Sequence, residues 1–313
     1  VSTAAVHRTV HETEIAAPAD TVYAIVADAA AWPRRFAPTV HVDRKPLGEG
    51  RERLSLWATG AGLVRTWTSV RMLDPEARRI TFRREVSPPP VKDMTGIWTV
   101  TPLIDGQVRL TLTHDFEAVD DSPDAVDWIT SATNENSTTE LDNIKRIAEQ
   151  AADLAELEFD FEDTLFVRGS TAEVYTFLAE AERWPERLPH VARMDLREET
   201  DGVQIMGMHT LAKDGSTHLT ESVRVCFPQQ RIVYKQTVTP PLIAAHTGEW
   251  SLEPGDNGVL VRSRHSVVLN RETLGSHPAA GTTPAEVRAF VRESIGGNSR
   301  ATLRHAARFA EDH

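Results

Sequence analysis

Val22-Tyr23 through Ala31-Trp32-Pro33-Arg34-Arg35-Phe36 returns 152 residues later as Val174-Tyr175 through Arg183-Trp184-Pro185-Glu186-Arg187-Leu188. The two Trp-Pro pairs anchor the match, and other segments keep nearly the same offset. Ser69-Val70-Arg71 answers Ser222-Val223-Arg224, Arg79-Ile80-Thr81-Phe82 answers Arg231-Ile232-Val233-Tyr234, Thr95-Gly96-Ile97-Trp98 answers Thr247-Gly248-Glu249-Trp250, and His114 falls opposite His265. Asn136-Ser137 pairs with Asn298-Ser299 at a spacing of 162, so about ten extra residues are expected in the second copy, within Arg271 to Pro284. A period this long is the duplication of a whole domain, not a solenoid. The expected domains are residues 1–156 and 157–313, joined near Gln150 to Glu158.

Each copy reads in the same order. Arg8 to Ile15 and Phe159 to Val167 look like first strands; Pro18 and Ser170 then open short helices whose apolar positions (Val22, Ile25, Val26 and Val174, Phe177, Leu178) recur at helical spacing. Trp-Pro is expected to close that helix, because the residue before proline is pushed out of the α region. Alternating segments follow, punctuated by turn residues at Leu47 to Gly50, Leu73 to Pro75, Ser87 to Pro90 and Asp105-Gly106. In the second copy these are Asp201-Gly202, Asp214-Gly215, Pro228 to Gln230, Pro240-Pro241 and Gly255 to Gly258. These are antiparallel strands joined by hairpins. A long helix ends each copy, expected over Asn136 to Glu156 and Asn298 to Glu311; in the first, Leu141, Ile144, Ile147, Ala148, Ala151, Leu154 and Ala155 share one arc. Ser137 and Glu140 sit inside that arc, and Asn136 and Asn143 at its edge. Polar groups facing a sheet point to a wet or ligand-filled cavity, although Ser and Asn also favour helix starts.

Composition narrows the partners. The 313 residues are 40% hydrophobic and 26% charged, with 34 basic against 46 acidic residues and a net charge of −12. Nothing in that balance supports nucleic-acid binding, which rests on Lys and Arg neutralising phosphates. No apolar run reaches the roughly 18 residues of a membrane span, and Val1 to Arg8 lacks the apolar core of a signal peptide. The single cysteine, Cys226, excludes an internal disulfide and fits a reducing bacterial cytoplasm, the expected location. There is no Gly-x-Ser-x-Gly elbow, phosphate loop or dinucleotide fingerprint, and neither a metal nor a cofactor is expected.

A strand, a short helix, a long antiparallel sheet and a C-terminal helix laid across it resemble the helix-grip fold of the START and Bet v 1-like superfamily. The resemblance implies an α+β protein of two tandem helix-grip domains, each a curved antiparallel sheet wrapped around its long C-terminal helix. More narrowly, Ala31 to Phe36, Trp67-Thr68-Ser69-Val70-Arg71 and Asn136-Ser137-Thr138-Thr139 followed by Asn143 to Ile147 resemble the di-domain aromatase/cyclases of bacterial type II polyketide synthases. That family folds a poly-β-ketone tethered to an acyl carrier protein, with di-domain members acting on the first ring, C7 to C12. The ketosynthase and ketoreductase of the same pathway are then further partners. The family's pocket arginine falls on Arg71 and, by the repeat, on Arg224; its polar helix position falls on Asn143 and His305. Where monodomain members carry a pocket tyrosine after the Trp-Pro helix, this chain is expected to have Thr39 and His190, with no phenol at that place.

Those residues suit an aldol closure followed by dehydration. A methylene between two ketones is already acidic, so the protein's task is to hold one folding of the chain and exclude water. Arg71 or Arg224 offers a permanently charged anchor for an oxyanion. His114, His190, His265 and His305 are the acid/base candidates, while Asn143 orients water or a carbonyl. Trp32, Trp98, Trp184 and Trp250 read first as core aromatics; with Trp67, the indoles of Trp32, Trp98 and Trp250 are also the aromatic candidates for the substrate wall. Thr39, Asn136, Ser137, Glu140, His190 and His246 are the polar candidates for that wall. The arginine clusters Arg34-Arg35, Arg78-Arg79 and Arg83-Arg84, with Arg183, Arg187 and Arg193, are candidates to meet an acidic carrier protein. The alternative from another class is a non-catalytic carrier of a hydrophobic ligand or a polyketide chaperone, against which a charged arginine in an apolar cavity argues.

Overall fold

Turn residues cut each half of the chain into seven strands. A computed structural model describes residues 5–60, 62–211 and 217–312, so the expected turn at Asp214-Gly215 lies outside the described residues. Two compact units divide the chain, Val1–Asp153 and Leu154–His313.

In the first unit the strands are β1 (His7–Ile15), β2 (Thr39–Gly48), β3 (Arg51–Gly60), β4 (Leu63–Asp74), β5 (Arg79–Arg84), β6 (Val91–Pro102) and β7 (Val108–Ala118). They form one antiparallel sheet in the order β1-β7-β6-β5-β4-β3-β2: a meander whose last strand pairs with the first. In the second unit β8 (Glu158–Val167), β9 (Val191–Thr200), β10 (Val203–Leu211), β11 (Thr217–Phe227), β12 (Arg231–Val238), β13 (Ile243–Gly255) and β14 (Gly258–Leu269) repeat that order. The β2–β3 turn needs its glycines: Gly48 and Gly50 have φ of 83° and 71°, and a Cβ on Gly50 would stand 2.9 Å from the Leu73 carbonyl oxygen.

Helix α1 (Ala19–Ala27) buries Val22, Ile25 and Val26. In the second unit a helix over Thr171–Ala179, α5 in chain order, buries Val174, Phe177 and Leu178 behind a capping box of Ser170 and Glu173. The Trp-Pro pairs do not close these helices. They open a second one, α2 (Trp32–Arg35) and α6 (Trp184–Arg187), with Trp32 at φ −57°, ψ −40° and Trp184 at φ −61°, ψ −34°. Proline lacks only an N–H that the first helical turn leaves unpaired anyway, so this position tolerates it and the residue before it stays helical. Each indole ties the two helices together: Trp32 Nε1 donates to the Ile25 carbonyl at 3.2 Å and Trp184 Nε1 to that of Phe177 at 3.1 Å.

The C-terminal helices start well before the expected Asn136 and Asn298. They are α3 (Pro123–Glu149) and α7 (Pro284–Glu311), opened by Ser122-Pro123 and Thr283-Pro284, where a hydroxyl cap precedes a proline. Val126 and Ile129 in α3, and Val287, Phe290 and Val291 in α7, already recur at helical spacing in those early turns and face the core. Asn136, Ser137, Glu140 and Asn143 are therefore mid-helix residues, not an exposed helix start. At the other end Gln150 leaves helical geometry at φ −107°, so Ala151–Leu157 forms a separate α4 on which Ala155 is exposed, and the expected single arc ends at Ala148. Four residues separate β7 from α3 and fourteen separate β14 from α7, which puts the ten-residue insertion within Arg271 to Pro284 as expected. Helix α3 packs on β1 and β7, and α7 on β8 and β14. No helix among the described residues is long and apolar enough to cross a membrane.

Candidate active site

The repeated segments meet in one row across each sheet. Cross-strand pairing in the first unit runs Glu52, Arg71, Phe82, Gly96, His114, Thr9 through β3, β4, β5, β6, β7 and β1. In the second unit it runs Gln204, Arg224, Tyr234, Gly248, His265, Phe161. Directly paired residues share a face of the sheet. The Thr-Gly-x-Trp repeat follows from this row: Phe82 lays its ring over Gly96 and Tyr234 over Gly248, where a Cβ would stand 2.1 Å and 2.2 Å from ring carbons. The glycine lets an aromatic on one strand reach the histidine two strands away.

Arg71 and Arg224 are buried as a pocket position requires, but much of their donor capacity is turned inward. Arg71 donates from Nε to Glu52 Oε1 at 2.6 Å, from one terminal nitrogen to the Val26 carbonyl at 3.0 Å, and from the other to the Ala27 carbonyl. Glu52 also accepts from Arg44 Nε at 3.0 Å. The guanidinium thus fastens the C-terminal carbonyls of α1, where a cation is favoured, to the sheet, with the Trp32 ring 5.2 Å away. Three of the Arg71 donors therefore hold the fold. Arg224 binds the Leu178 carbonyl in the same way, but Gln204 replaces the carboxylate. Arg224 Nε and Trp250 Nε1 are buried donors without a protein partner and Gln204 Oε1 is a buried acceptor without one, so the second unit keeps unpaired polar atoms at its arginine.

The histidines of the two rows differ in surroundings. Burial, with His11 nearby, lowers His114 to about 4, and its Nδ1 has no protein partner. Thr9 Oγ1 and His11 Nδ1, on the strand beside it, are also buried and unpartnered. Such atoms mark places for water or a ligand. Facing them on α3 are buried Ser137 and Thr133, and Asn134, whose Oδ1 lies 2.9 Å from His11 Nε2. Burial also raises Glu140 to about 7 although its side chain is exposed. An exposed carboxyl ordinarily titrates normally, and the two observations agree when Glu140 stands in the wall of a cavity that water reaches.

In the second unit the polar groups bond to one another. His265 Nδ1 lies 3.2 Å from Tyr234 Oη and 3.1 Å from His246 Nε2, and His246 Nδ1 lies 2.9 Å from Gln236 Oε1. His265 Nε2 is 3.0 Å from Ser263 Oγ, which is 2.6 Å from Ser299 Oγ on α7. Burial lowers His265 to about 4, with Arg292 adding to it, and lowers His246 to about 3, with His265 adding to it. Both imidazoles are neutral at physiological pH. Phe161 stacks on His265 at 4.6 Å, where the first unit has Thr9, and Arg292 caps Phe161 at 4.2 Å while pairing with Asp163 at 2.9 Å.

The remaining candidates are more scattered. Trp98 and Trp250 are 6% and 7% exposed, and Trp184 packs edge-on against Trp250 at 5.8 Å, so these indoles build the core. Trp67 is half-buried under the Arg84 guanidinium, 5.3 Å from its ring. Thr39 is not the counterpart of His190. The carbonyls of Pro38 and His190 accept from Thr59 and Leu211 at 2.8 Å and 2.9 Å, which aligns His190 with Pro38 and Thr39 with Val191. His190 is lowered by burial and by His305 nearby, so these two form a small cluster. Asn143 is half-buried on α3, and Asn136 is exposed. Of the arginine clusters, Arg78, Arg83, Arg187 and Arg193 are ion-paired to Asp20, Asp93, Glu180 and Asp195. His7 and His11 stand four apart, but on β1 that spacing separates them by about 13 Å, and no group of three His, Cys, Asp or Glu among the described residues could hold a metal ion. Sequence reasoning passed over Thr9, His11, Tyr234, Gln236, Ser263 and Ser299. The Ser263-x-His265 alternation on one strand was the available signal.

Both halves match the family described as polyketide cyclase / dehydrase and lipid transport, over residues 6–149 and 158–311. The chain belongs to this family. It is 42% identical over 308 residues to the granaticin polyketide synthase bifunctional cyclase/dehydratase of Streptomyces violaceoruber, covering 98% of this chain and 95% of that one. It is also 42% identical over 311 residues to the actinorhodin polyketide synthase bifunctional cyclase/dehydratase of Streptomyces coelicolor, covering 96% of each. Among solved structures it resembles the di-domain ARO/CYC BexL from the BE-7585A biosynthetic pathway, with a TM-score of 0.89 and 46% identity over 97% of this chain and 99% of that one. The tandem helix-grip architecture is thus that of the di-domain members of the polyketide cyclase family.

Proposed function

We propose that this polyketide cyclase closes the first ring, C7 to C12, of a poly-β-ketone delivered on an acyl carrier protein, and dehydrates that ring to the aromatic product. The ketosynthase and ketoreductase of the same pathway supply and reduce the chain. The observation that carries this reading is the pair of imidazoles, His114 and His265, at one register position of both sheets and neutral at physiological pH. A neutral imidazole takes a proton from an acidic methylene.

The two halves divide the work. In the first, unpartnered Thr9 Oγ1, His11 Nδ1 and His114 Nδ1, with Glu140 and Asn143 on α3, offer a carbonyl-rich chain several places to bond while one folding is selected. Ring closure belongs there. In the second, the connected chain from Tyr234 to Ser299 moves protons without free water, which suits dehydration. Arg224, with Nε to spare, supports oxyanion binding better than Arg71.

Reconstitution with a minimal polyketide synthase, with and without a ketoreductase, tests the reading. Folded His114→Phe is expected to release misfolded shunt rings, and folded His265→Phe a cyclised, unaromatised species. First-ring products identical to wild type from both variants would sink it.

A further inference from the structure

The two rows are alike at arginine, glycine and histidine and differ at the aromatic: Phe82 in the first unit, Tyr234 in the second. The fold needs only the ring, which covers the glycine in both. The added oxygen stands 3.2 Å from His265 Nδ1, whereas His114 Nδ1 has no protein partner. Tyr234 is half-buried as a residue although burial raises its phenol, and the two observations agree when the ring lines a cavity; the histidines behind it are only 2% and 4% exposed. Sequence reasoning found no phenol after the Trp-Pro helix; the structure supplies one from β12.

We propose that Tyr234 is a catalytic residue of the second unit, the group that exchanges protons with the substrate in the dehydration, with His265 behind it as the proton store. The proposal rests on the reading of the second unit as the dehydrating half. With its proton on Nε2, donated to Ser263 Oγ, His265 accepts the Tyr234 O–H at Nδ1. The Tyr234 oxygen takes the proton from the carbon between ketone and carbinol while its own phenolic proton moves to Nδ1, and the C–H electron pair becomes the enolate. That pair then forms the C=C bond as the C–O bond breaks. The departing oxygen keeps the C–O pair, takes the Tyr234 proton and leaves as water, and His265 returns its Nδ1 proton to Tyr234. The imidazolium formed in between finds acceptors on both nitrogens, Ser263 Oγ at Nε2 and Tyr234 Oη at Nδ1. Burial raises the Tyr234 phenol, which keeps it protonated at rest.

The test is Tyr234→Phe in the full-length protein, reconstituted as above and checked by melting. It deletes one oxygen and leaves the ring over Gly248, the arrangement Phe82 already has over Gly96. Ring closure is expected to persist while dehydration slows roughly 10²- to 10⁴-fold, the usual worth of a positioned acid or base, so that the hydroxylated ring accumulates. Dehydration at the wild-type rate overturns the proposal; if His265→Phe still blocks dehydration, the reading of the second unit survives, and if it does not, that reading fails too. Should the Phe variant melt early, fluorotyrosine at position 234 replaces it. A lower phenol pKa must then shift the pH–rate profile, and an unmoved profile overturns the proposal.

Discussion

Replacing His246 with Met, the residue at the matching position of the first half (Met94), should make the second unit less sensitive to acid. Burial holds His246 at about 3 in the fold, against 6.5 for an ordinary histidine. The unfolded chain therefore binds the proton first, so the stabilising contribution is complete above pH 6.5 and is lost as the pH falls toward the folded value. At about pH 5 the unfolded imidazole is almost fully charged and the folded one almost fully neutral, which costs about 2 kcal/mol relative to neutral pH. For a domain of this size that is a melting shift of about 4 to 8 °C. Calorimetry of full-length wild type and His246→Met at about pH 7.5 and pH 5 measures it. The variant also loses the contacts to Gln236 and His265, so its melting temperature at pH 7.5 is expected to be lower. What decides the matter is the drop between the two pH values, which should be smaller in the variant by that shift. Equal drops would show that the His246 imidazole is not held neutral in the fold.

Glu52→Ala should destabilise the first unit by about 3 to 5 kcal/mol, because it strands the buried Arg71 beside Arg44; Glu52→Gln, the residue of the second half, should cost less, and denaturant titration ranks the two. Gly248→Ala places a Cβ 2.2 Å from the Tyr234 ring and should cost about 1 to 3 kcal/mol by overpacking while moving the phenol off His265, checked by melting and dehydration assays. Phe82→Tyr should stabilise the first unit by about 0.5 to 1.5 kcal/mol by giving buried His114 Nδ1 a partner, read from the denaturation midpoint. Fragments 1–156 and 157–313 should each unfold cooperatively alone, since a duplicated domain carries its own core; two unfolded fragments would refute this.

The duplication, the order of strands and the short helices were legible from residues alone, because turn residues and two-residue alternation are local signals. So was the place of the insertion, since a change of offset needs no folding to be seen. The starts of α3 and α7 were missed, although Ser122-Pro123 and Thr283-Pro284 are capping signals and Val287, Phe290 and Val291 keep helical spacing, because the polar stretches from Asn134 to Thr139 and from Gly296 to Arg300 interrupt the apolar face behind them. The sequence also marked Arg71, His114 and their repeats without revealing what each touches. Glu52 and Arg71 stand 19 residues apart, and Tyr234 and His265 stand 31 apart; antiparallel register brings each pair together. Register is a collective property of the strands, set by all their buried faces at once. Tertiary structure therefore decided that the Arg71 guanidinium holds a helix end, that Thr9 leaves His114 open where Phe161 covers His265, and that a tyrosine two strands away reaches the buried histidine.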